Sequence, residues 1–406
     1  MEQVILDSWR TVVPDRESKG ERVAARAPVH VLFLIDHLAG LGGGETSLVR
    51  MIGLLPPDRI RCSIATLHPM VNPVLRRRLQ CPVHVFPLRR TYDLNSFRLA
   101  MKLRKLLQRE HVDIVHTYFE SANLWGGLVS KMGRGPLLIS SRRDMNILRN
   151  RHAHRLGYLV VNRLCDKVLT VSNAVRDLCI AEEGLPPDKV VTVYNGVDME
   201  RLSSLLPDAQ LRQRLGFAAT DPIITSVANV RRIKGLETLI AAAGIVCREF
   251  PSARFLIVGG ENEPDYGTEL RQAIKLLGLE NNVVFTGLLE SAIPILKLSQ
   301  VFCLLSRAEG FSNALLEGMA CSLPCVASRV GGSAEAIVEG DTGFLVAAGD
   351  HKAAAERILL LLRDPMRSRM MGAAGRERVT SKFSAEKVAL EHAEIYERLL
   401  WHKLDL

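Results

Sequence analysis

Glu309-Gly310-Phe311-Ser312-Asn313-Ala314-Leu315-Leu316-Glu317 decides how this chain is read. It follows Val301-Phe302-Cys303-Leu304-Leu305, an apolar run of a buried strand's length, and it leads into a helix opening at residues 314–320. The stretch is therefore a strand–loop–helix unit, with one carboxylate in the loop and a second a turn into the helix. Ser312 or Asn313 stands where a helix cap is needed. A helix N-terminus presents unpaired N–H groups and a partial positive charge, which suit a phosphate or a hydroxyl-rich ligand. Ionised glutamates only accept hydrogen bonds, and sugars supply donors. Alone, Glu309 and Glu317 would be surface charges on a capped helix. Their surroundings turn the reading toward a ligand site.

Outward from this stretch the same unit recurs. Upstream, 222–228 reads as a strand, 229–235 as a polar loop and 236–250 as a helix. Strands at 254–258, 283–286, 324–328 and 344–346 alternate with helices on either side. A separate series begins at Val29–Ile35, with strands at 62–67, 83–87, 112–116, 137–140, 167–171 and 190–194. Alternation of this kind predicts mostly parallel sheets covered by helices on both faces, with ligands beyond the carboxyl ends of the strands. The expected architecture is α/β: two Rossmann-like domains facing across a cleft. The divisions are a variable leader at 1–28, a domain at 29–200, a second at 205–382, and a terminal helical segment at 383–406. That last segment has one apolar face, suited to packing on either domain or to bridging both.

The 406 residues suit two cores, and 47% hydrophobic with 24% charged residues is the composition of a folded globular chain. No run reaches the roughly 18 apolar residues of a membrane helix, and residues 1–28 lack the apolar core of a signal peptide. The eight cysteines form no C-x-x-C pair, which fits reduced thiols in a cytoplasmic protein. The formal charge of +9 is uneven: residues 1–201 hold 30 Lys and Arg against 20 Asp and Glu, so +10, and the rest carries −1. A basic first half draws an anionic lipid surface or an anionic acceptor. No nucleic-acid-binding module is present, so nucleic acid is not an expected partner.

Three further loops carry chemistry. Gly40–Glu45 follows the first strand, and its glycines let the backbone approach a ligand; it is neither a Walker loop nor a clean G-x-G-x-x-G. His116 reads as a strand-end imidazole facing the cleft, where it would donate to a sugar hydroxyl or relay a proton. Its loop also holds Tyr118 and Glu120. The plain alternative is a core histidine. Asn229-Val230-Arg231-Arg232-Ile233-Lys234-Gly235 places cations at another strand end, where they would stabilise a departing diphosphate. No metal-ligand cluster accompanies these loops.

Taken in order, the motifs resemble a known family. Gly43-Gly44-Glu45 looks like its first glycine loop, and Asp113-Ile114-Val115-His116 like its D-v-v-H strand end. Asn195-Gly196-Val197-Asp198 is similar to its N-G-V-D, and Lys234-Gly235 to its phosphate loop. Glu309–Glu317 matches E-G-F-x-N-x-x-x-E, and Pro324, Ala327, Gly331, Gly332, Glu335 and Gly343 follow its P-v-v-A…G-G…E…G. Residues 29–400 thus resemble the retaining, nucleotide-sugar-dependent glycosyltransferases of family 4, which have the GT-B fold.

The resemblance implies the site. Glu309 would bond hydroxyls of the donor hexose, and Glu317 the ribose hydroxyls. Backbone N–H groups around Gly310, Phe311, Ser312 and Asn313 would hold the sugar or phosphates. Lys234, with Arg231 or Arg232, would hold the diphosphate. Leu288 would lie near the base, and Gly43 and Gly44 would line the cleft from the first domain. Two positions depart from the pattern: Asn229 replaces a frequent arginine, for which Arg231 or Arg232 would substitute, and Tyr118 replaces a frequent second histidine after His116.

The implied activity is transfer of a hexose from a UDP- or GDP-sugar to an acceptor hydroxyl, with retention and without a metal or other cofactor, in surface polysaccharide or glycolipid biosynthesis. The acceptor would be a carbohydrate or lipid-linked molecule bound by the basic first domain. The place would be the cytoplasm, at the inner face of the membrane. The competing readings are a sugar-nucleotide epimerase on the same fold and a non-catalytic nucleotide-sugar-binding assembly partner.

Overall fold

The computed structural model describes residues 27–40, 42–91, 93–133, 135–145, 152–208 and 210–404. All but the last two residues of the expected leader lie outside them. The first sheet holds β1 (Val29–Ile35), β2 (Ile60–Thr66), β3 (Val83–Val85), β4 (Ile114–Tyr118), β5 (Leu137–Arg142), β6 (Lys167–Thr170) and β7 (Val190–Thr192). All pairings are parallel, in the order β3-β2-β1-β4-β5-β6-β7. The second sheet holds β8 (Ile223–Val227), β9 (Arg254–Val258), β10 (Val283–Gly287), β11 (Val301–Leu304), β12 (Cys325–Ser328) and β13 (Gly343–Val346), parallel in the order β10-β9-β8-β11-β12-β13. The central strands are buried on both faces. β1 reads Val-His-Val-Leu-Phe-Leu-Ile without an exposed residue, and β11 to β13 are buried throughout. Parallel sheets covered by helices need such runs rather than alternation.

Each sheet reverses its winding once, between β1 and β4 and between β8 and β11. A crevice opens at the carboxyl ends of such a strand pair. In the second sheet the two loops leaving it are 228–235 and 305–312, the two that hold Lys234 and Glu309. In the first sheet the loop after β1 is tied to the one after β4: Asp36 accepts from the N–H groups of Ser121 and Ala122, at 3.0 and 2.6 Å.

The helix Pro365–Lys382 packs on Asn313–Ala320 of the second domain. The chain then crosses back. Ala385–Leu404 lies on the helix Gly43–Leu54 and on β1, burying Val388, Ala389, Ala393 and Tyr396 with Phe33, Ile35 and Leu48. Arg59 grips Glu397 through Nε and Nη2, at 3.0 and 2.6 Å.

The two-domain α/β expectation holds, with element edges moved. The first helix begins at Gly43 rather than near residue 46, so the glycines form its first turn. β4 continues to Tyr118, so His116 lies inside the strand.

Candidate active site

Lys234 is brought to the cleft by a tight backbone contact. It ends a 3₁₀ turn, Arg232–Lys234, and Gly235 follows with φ 60°. A Cβ on Gly235 would stand 2.2 Å from the carbonyl of Leu305. Only glycine tolerates both the left-handed backbone and that approach, and together they set Lys234 over the end of β11. Its Nζ reaches Oε1 of Glu309 at 2.6 Å. The buried Ser306 hydroxyl donates to the same oxygen at 2.7 Å. Oε2 of Glu309, a residue only 8% exposed, has no partner among the described residues.

Beyond Glu309 the backbone N–H groups of Gly310, Phe311, Ser312, Asn313 and Ala314 have no acceptor among the described residues. Ser312 caps the helix Asn313–Ala320 through Leu315 N, 3.3 Å from its Oγ. Gly310 and Phe311 are buried, where a backbone donor ordinarily has a partner, and Ser312, Asn313 and Ala314 are half-buried at the helix start. At a helix N-terminus they form an anion- or hydroxyl-binding cradle. Oδ1 of Asn313 is also buried without a partner.

The first domain closes over this loop. Asn313 Nδ2 donates to Gly43 O at 2.8 Å, and Asn195 Nδ2 donates to Phe311 O at 2.7 Å. Asn195 is oriented by Arg143, whose Nη2 donates to its Oδ1 at 2.7 Å. Glu335 reaches across to cap a helix of the other domain, accepting from the N–H groups of Asn173 and Ala174 at 2.9 and 2.8 Å, and from the Tyr194 hydroxyl at 2.9 Å. Arg50 of the first domain bonds Gly196 O at 2.7 Å and stands 3.5 Å from Glu317. Glu317 is partly buried, and desolvation raises its pKa against the opposing pull of Arg50 and Arg201.

Of the expected site residues, Lys234, Glu309, Gly310, Phe311, Ser312 and Asn313 come together, with Gly43 opposite. At Gly44 the Phe119 ring fills the space where a Cβ would be, so a side chain is excluded there. Arg231 and Arg232 are turned to other partners. Arg231 is 3.6 Å from Glu263, and Arg232 pairs with Glu269 while lying over the Tyr266 ring, 5.0 Å from its centroid. Leu288 stands exposed after β10, beside Gly260, whose N–H is held by Asn229 Oδ1 at 2.9 Å.

The reading of His116 as a cleft histidine is corrected. It is fully buried, with Nδ1 2.8 Å from the Tyr396 hydroxyl and Nε2 2.8 Å from Ser141 Oγ. Burial holds its pKa well below the ordinary histidine value. It is a core histidine clamping the terminal helix to the first sheet. Among the residues not foreseen, Asn195 and Glu335 lay in motifs that gave them no role, and Arg143 was one of many arginines in a basic half.

Two doubly wound domains thus close on a cation–carboxylate pair and a cradle of N–H groups without acceptors among the described residues, an arrangement suited to an anionic, hydroxyl-bearing ligand. Comparison with known proteins gives the family. Residues 41–201 match the family described as Glycosyltransferase Family 4, and residues 207–378 match Glycosyl transferases group 1. The chain is 32% identical over 310 residues to N-acetyl-alpha-D-glucosaminyl L-malate synthase of Bacillus anthracis, covering 75% of this chain and 79% of that one. It is 30% identical over 341 residues to alpha-maltose-1-phosphate synthase of Mycolicibacterium smegmatis, covering 78% and 87%. In fold it is similar to Anabaena HepE, solved with UDP and glucose, with a TM-score of 0.80 at 23% identity over 91% of this chain and all of that one. The chain belongs to glycosyltransferase family 4, has the GT-B fold, and is a glycosyltransferase.

Proposed function

We propose that the protein transfers a hexose from a UDP- or GDP-sugar to an acceptor hydroxyl, with retention at the anomeric carbon and without a metal ion, in surface polysaccharide or glycolipid biosynthesis. The observation that carries this is the Lys234–Glu309 contact at 2.6 Å beside the N–H groups of 310–314, which have no acceptor among the described residues. Lys234 and those N–H groups hold the diphosphate. The unpartnered Oε2 of Glu309 accepts from hexose hydroxyls, and Glu317 from the ribose. As the glycosidic bond breaks, negative charge grows on the phosphate oxygen beside Lys234, where a fixed cation and oriented dipoles stabilise it. The same oxygen takes the acceptor's proton on the face from which it leaves, so no side chain attacks the sugar. The relatives' names support the reading: one is an N-acetyl-alpha-D-glucosaminyl L-malate synthase, and the HepE structure holds UDP and glucose. The acceptor sits against the basic first domain, as a carbohydrate or lipid-linked molecule at the inner face of the membrane. Among the described residues no helix is long and apolar enough to cross that membrane.

The test begins with thermal shifts against UDP, GDP, ADP and their sugars, because only a bound nucleotide raises the melting temperature. Transfer with the stabilising donor should persist in EDTA and keep the donor's anomeric configuration by NMR. Lys234→Ala and Glu309→Ala should each lower kcat about 10²- to 10³-fold. Full activity in both variants would remove this reading, and loss of transfer in EDTA would remove its metal-free form.

A further inference from the structure

The first sheet is covered differently on its two faces. One face carries the helix Gly43–Leu54 and the returning helix Ala385–Leu404. The connections β3→β4, β4→β5 and β5→β6 step the same way along the sheet, so right-handed crossovers put their helices on the other face. There Leu94–Arg109, Gly127–Ser130 and His152–Leu164 lie side by side.

This layer exposes apolar side chains in an unusual concentration. Leu94, Phe97 and Met101 are 83, 62 and 37% exposed on the first helix. Leu128 and Met132 follow on and just after the second. Leu156, Leu159, Val160 and Leu164 form a stripe along the third. These are nine of the 21 large apolar side chains exposed among the described residues. Scattered exposed leucines need no explanation, but a contiguous apolar face on a water-soluble domain marks an interaction surface.

The charge on the layer selects the partner. None of the three helices contains an Asp or Glu. Arg98, Lys102, Lys105 and Arg163 are exposed and make no ion pair among the described residues. Apolar side chains interleaved with unpaired cations, on helices that hold no Asp or Glu between their caps, match the boundary between acyl chains and anionic headgroups. A protein partner of ordinary composition would not call for so one-sided a charge. Helices between parallel strands run opposite to them, so the N-terminal turns holding Leu94, Phe97 and Leu156 lie toward the strand ends that face the cleft.

We propose that this face rests on an anionic lipid bilayer and holds the mouth of the cleft at the membrane. It gives a place to the lipid-linked acceptor and rests on the reading of the first domain as the acceptor side. The full chain is sedimented with vesicles of phosphatidylcholine alone and of phosphatidylcholine mixed with phosphatidylglycerol, and the nucleotide thermal shift is read on the same samples. The wild type should pellet with the mixed vesicles only. Lys102→Glu with Lys105→Glu should weaken partitioning about 30-fold, and more at low salt. Phe97→Glu with Leu159→Glu should abolish it, while the nucleotide shift stays that of the wild type and shows the fold intact. Three results would overturn the proposal: no partitioning of the wild type, variants that bind as it does, or a wild-type dimer in solution that Phe97→Glu with Leu159→Glu splits, since a second copy would then own the face. A missing nucleotide shift with normal vesicle binding would fault the enzyme reading alone.

Discussion

At Gly310 one methyl group separates a closed enzyme from an open one. A Cβ there would stand 2.2 Å from the carbonyl of Arg143, a backbone atom of the opposite domain that cannot swing aside. Gly310→Ala should therefore hold the domains apart without unfolding either. The expected result is a melting temperature close to the wild type, a reduced nucleotide shift and transfer lowered by at least about tenfold. Wild-type kinetics in this variant would mean that the enzyme works without the closure seen here. Gly53 is the matched control. It lies inside the helix Gly43–Leu54 with nothing within 4 Å of its Cβ position, so Gly53→Ala should stabilise by about 0.5–1 kcal/mol and leave catalysis alone. At this scale the site was legible where a polar residue sits in the loop leaving a strand. Lys234 and Glu309 each leave one of the two strands at the winding reversal, so their meeting follows from the topology. Arg231 and Arg232 stand within three residues of Lys234, yet Glu263 and Glu269, which nothing in their spacing announced, draw them away.

Among the elements, the helix Ala385–Leu404 brings a pH dependence into the first domain. His392 is buried with Nδ1 2.8 Å from Val388 O, and burial lowers its pKa to about 4. His116, beneath it, is lowered too. An unfolded histidine titrates near 6.5. Between pH 6.5 and 4 the unfolded chain binds protons that these two folded histidines refuse, so their contribution to stability is full above about 6.5 and is lost on acidification, while the neighbouring Glu391, pushed up to about 7 by burial, works in the opposite sense. His392 alone accounts for a loss on the order of 3 kcal/mol by pH 4. Denaturant melts at pH 7.5, 6, 5 and 4 should show the wild type losing stability on acidification relative to His392→Leu, the difference isolating this histidine from Glu391. A variant as acid-sensitive as the wild type would place the titration elsewhere. The element edges also decide between the two readings of His116. Val112–His116 and Ile114–Tyr118 are equally strand-like, since Thr117 and Tyr118 favour strands. A shift of two residues takes an imidazole from the cleft to the core. The alternation of strands and helices survives such shifts because it rests on many residues, and for that reason the two sheets could be foreseen.

For the whole molecule the open question is how firmly the two domains are held together. Glu335 caps the helix Asn173–Glu183 from outside its own domain. A cap of this kind is worth about 1 kcal/mol, so Glu335→Gln should lower the closed-to-open ratio about fivefold. Small-angle scattering should then show a larger radius of gyration without nucleotide and recovery toward the wild-type value with it. An unchanged radius would mean that the remaining bridges, Asn195 to Phe311 and Asn313 to Gly43, suffice. This level of organisation was the least legible in the sequence. A contact such as Glu335 to Asn173 joins residues 162 apart, and no periodicity or local pattern encodes it.

The return of Ala385–Leu404 to the first sheet also orders events during synthesis. β1 leaves the ribosome early, but the apolar surface of Phe33 and Ile35 is covered only when Val388, Ala389 and Tyr396 arrive. The domain translated first is thus the one completed last. In the interval the nascent chain carries an unsealed sheet, a surface that invites chaperones or aggregation. A stop codon at residue 384 would make that interval permanent, although every residue named in the cleft would already have been made.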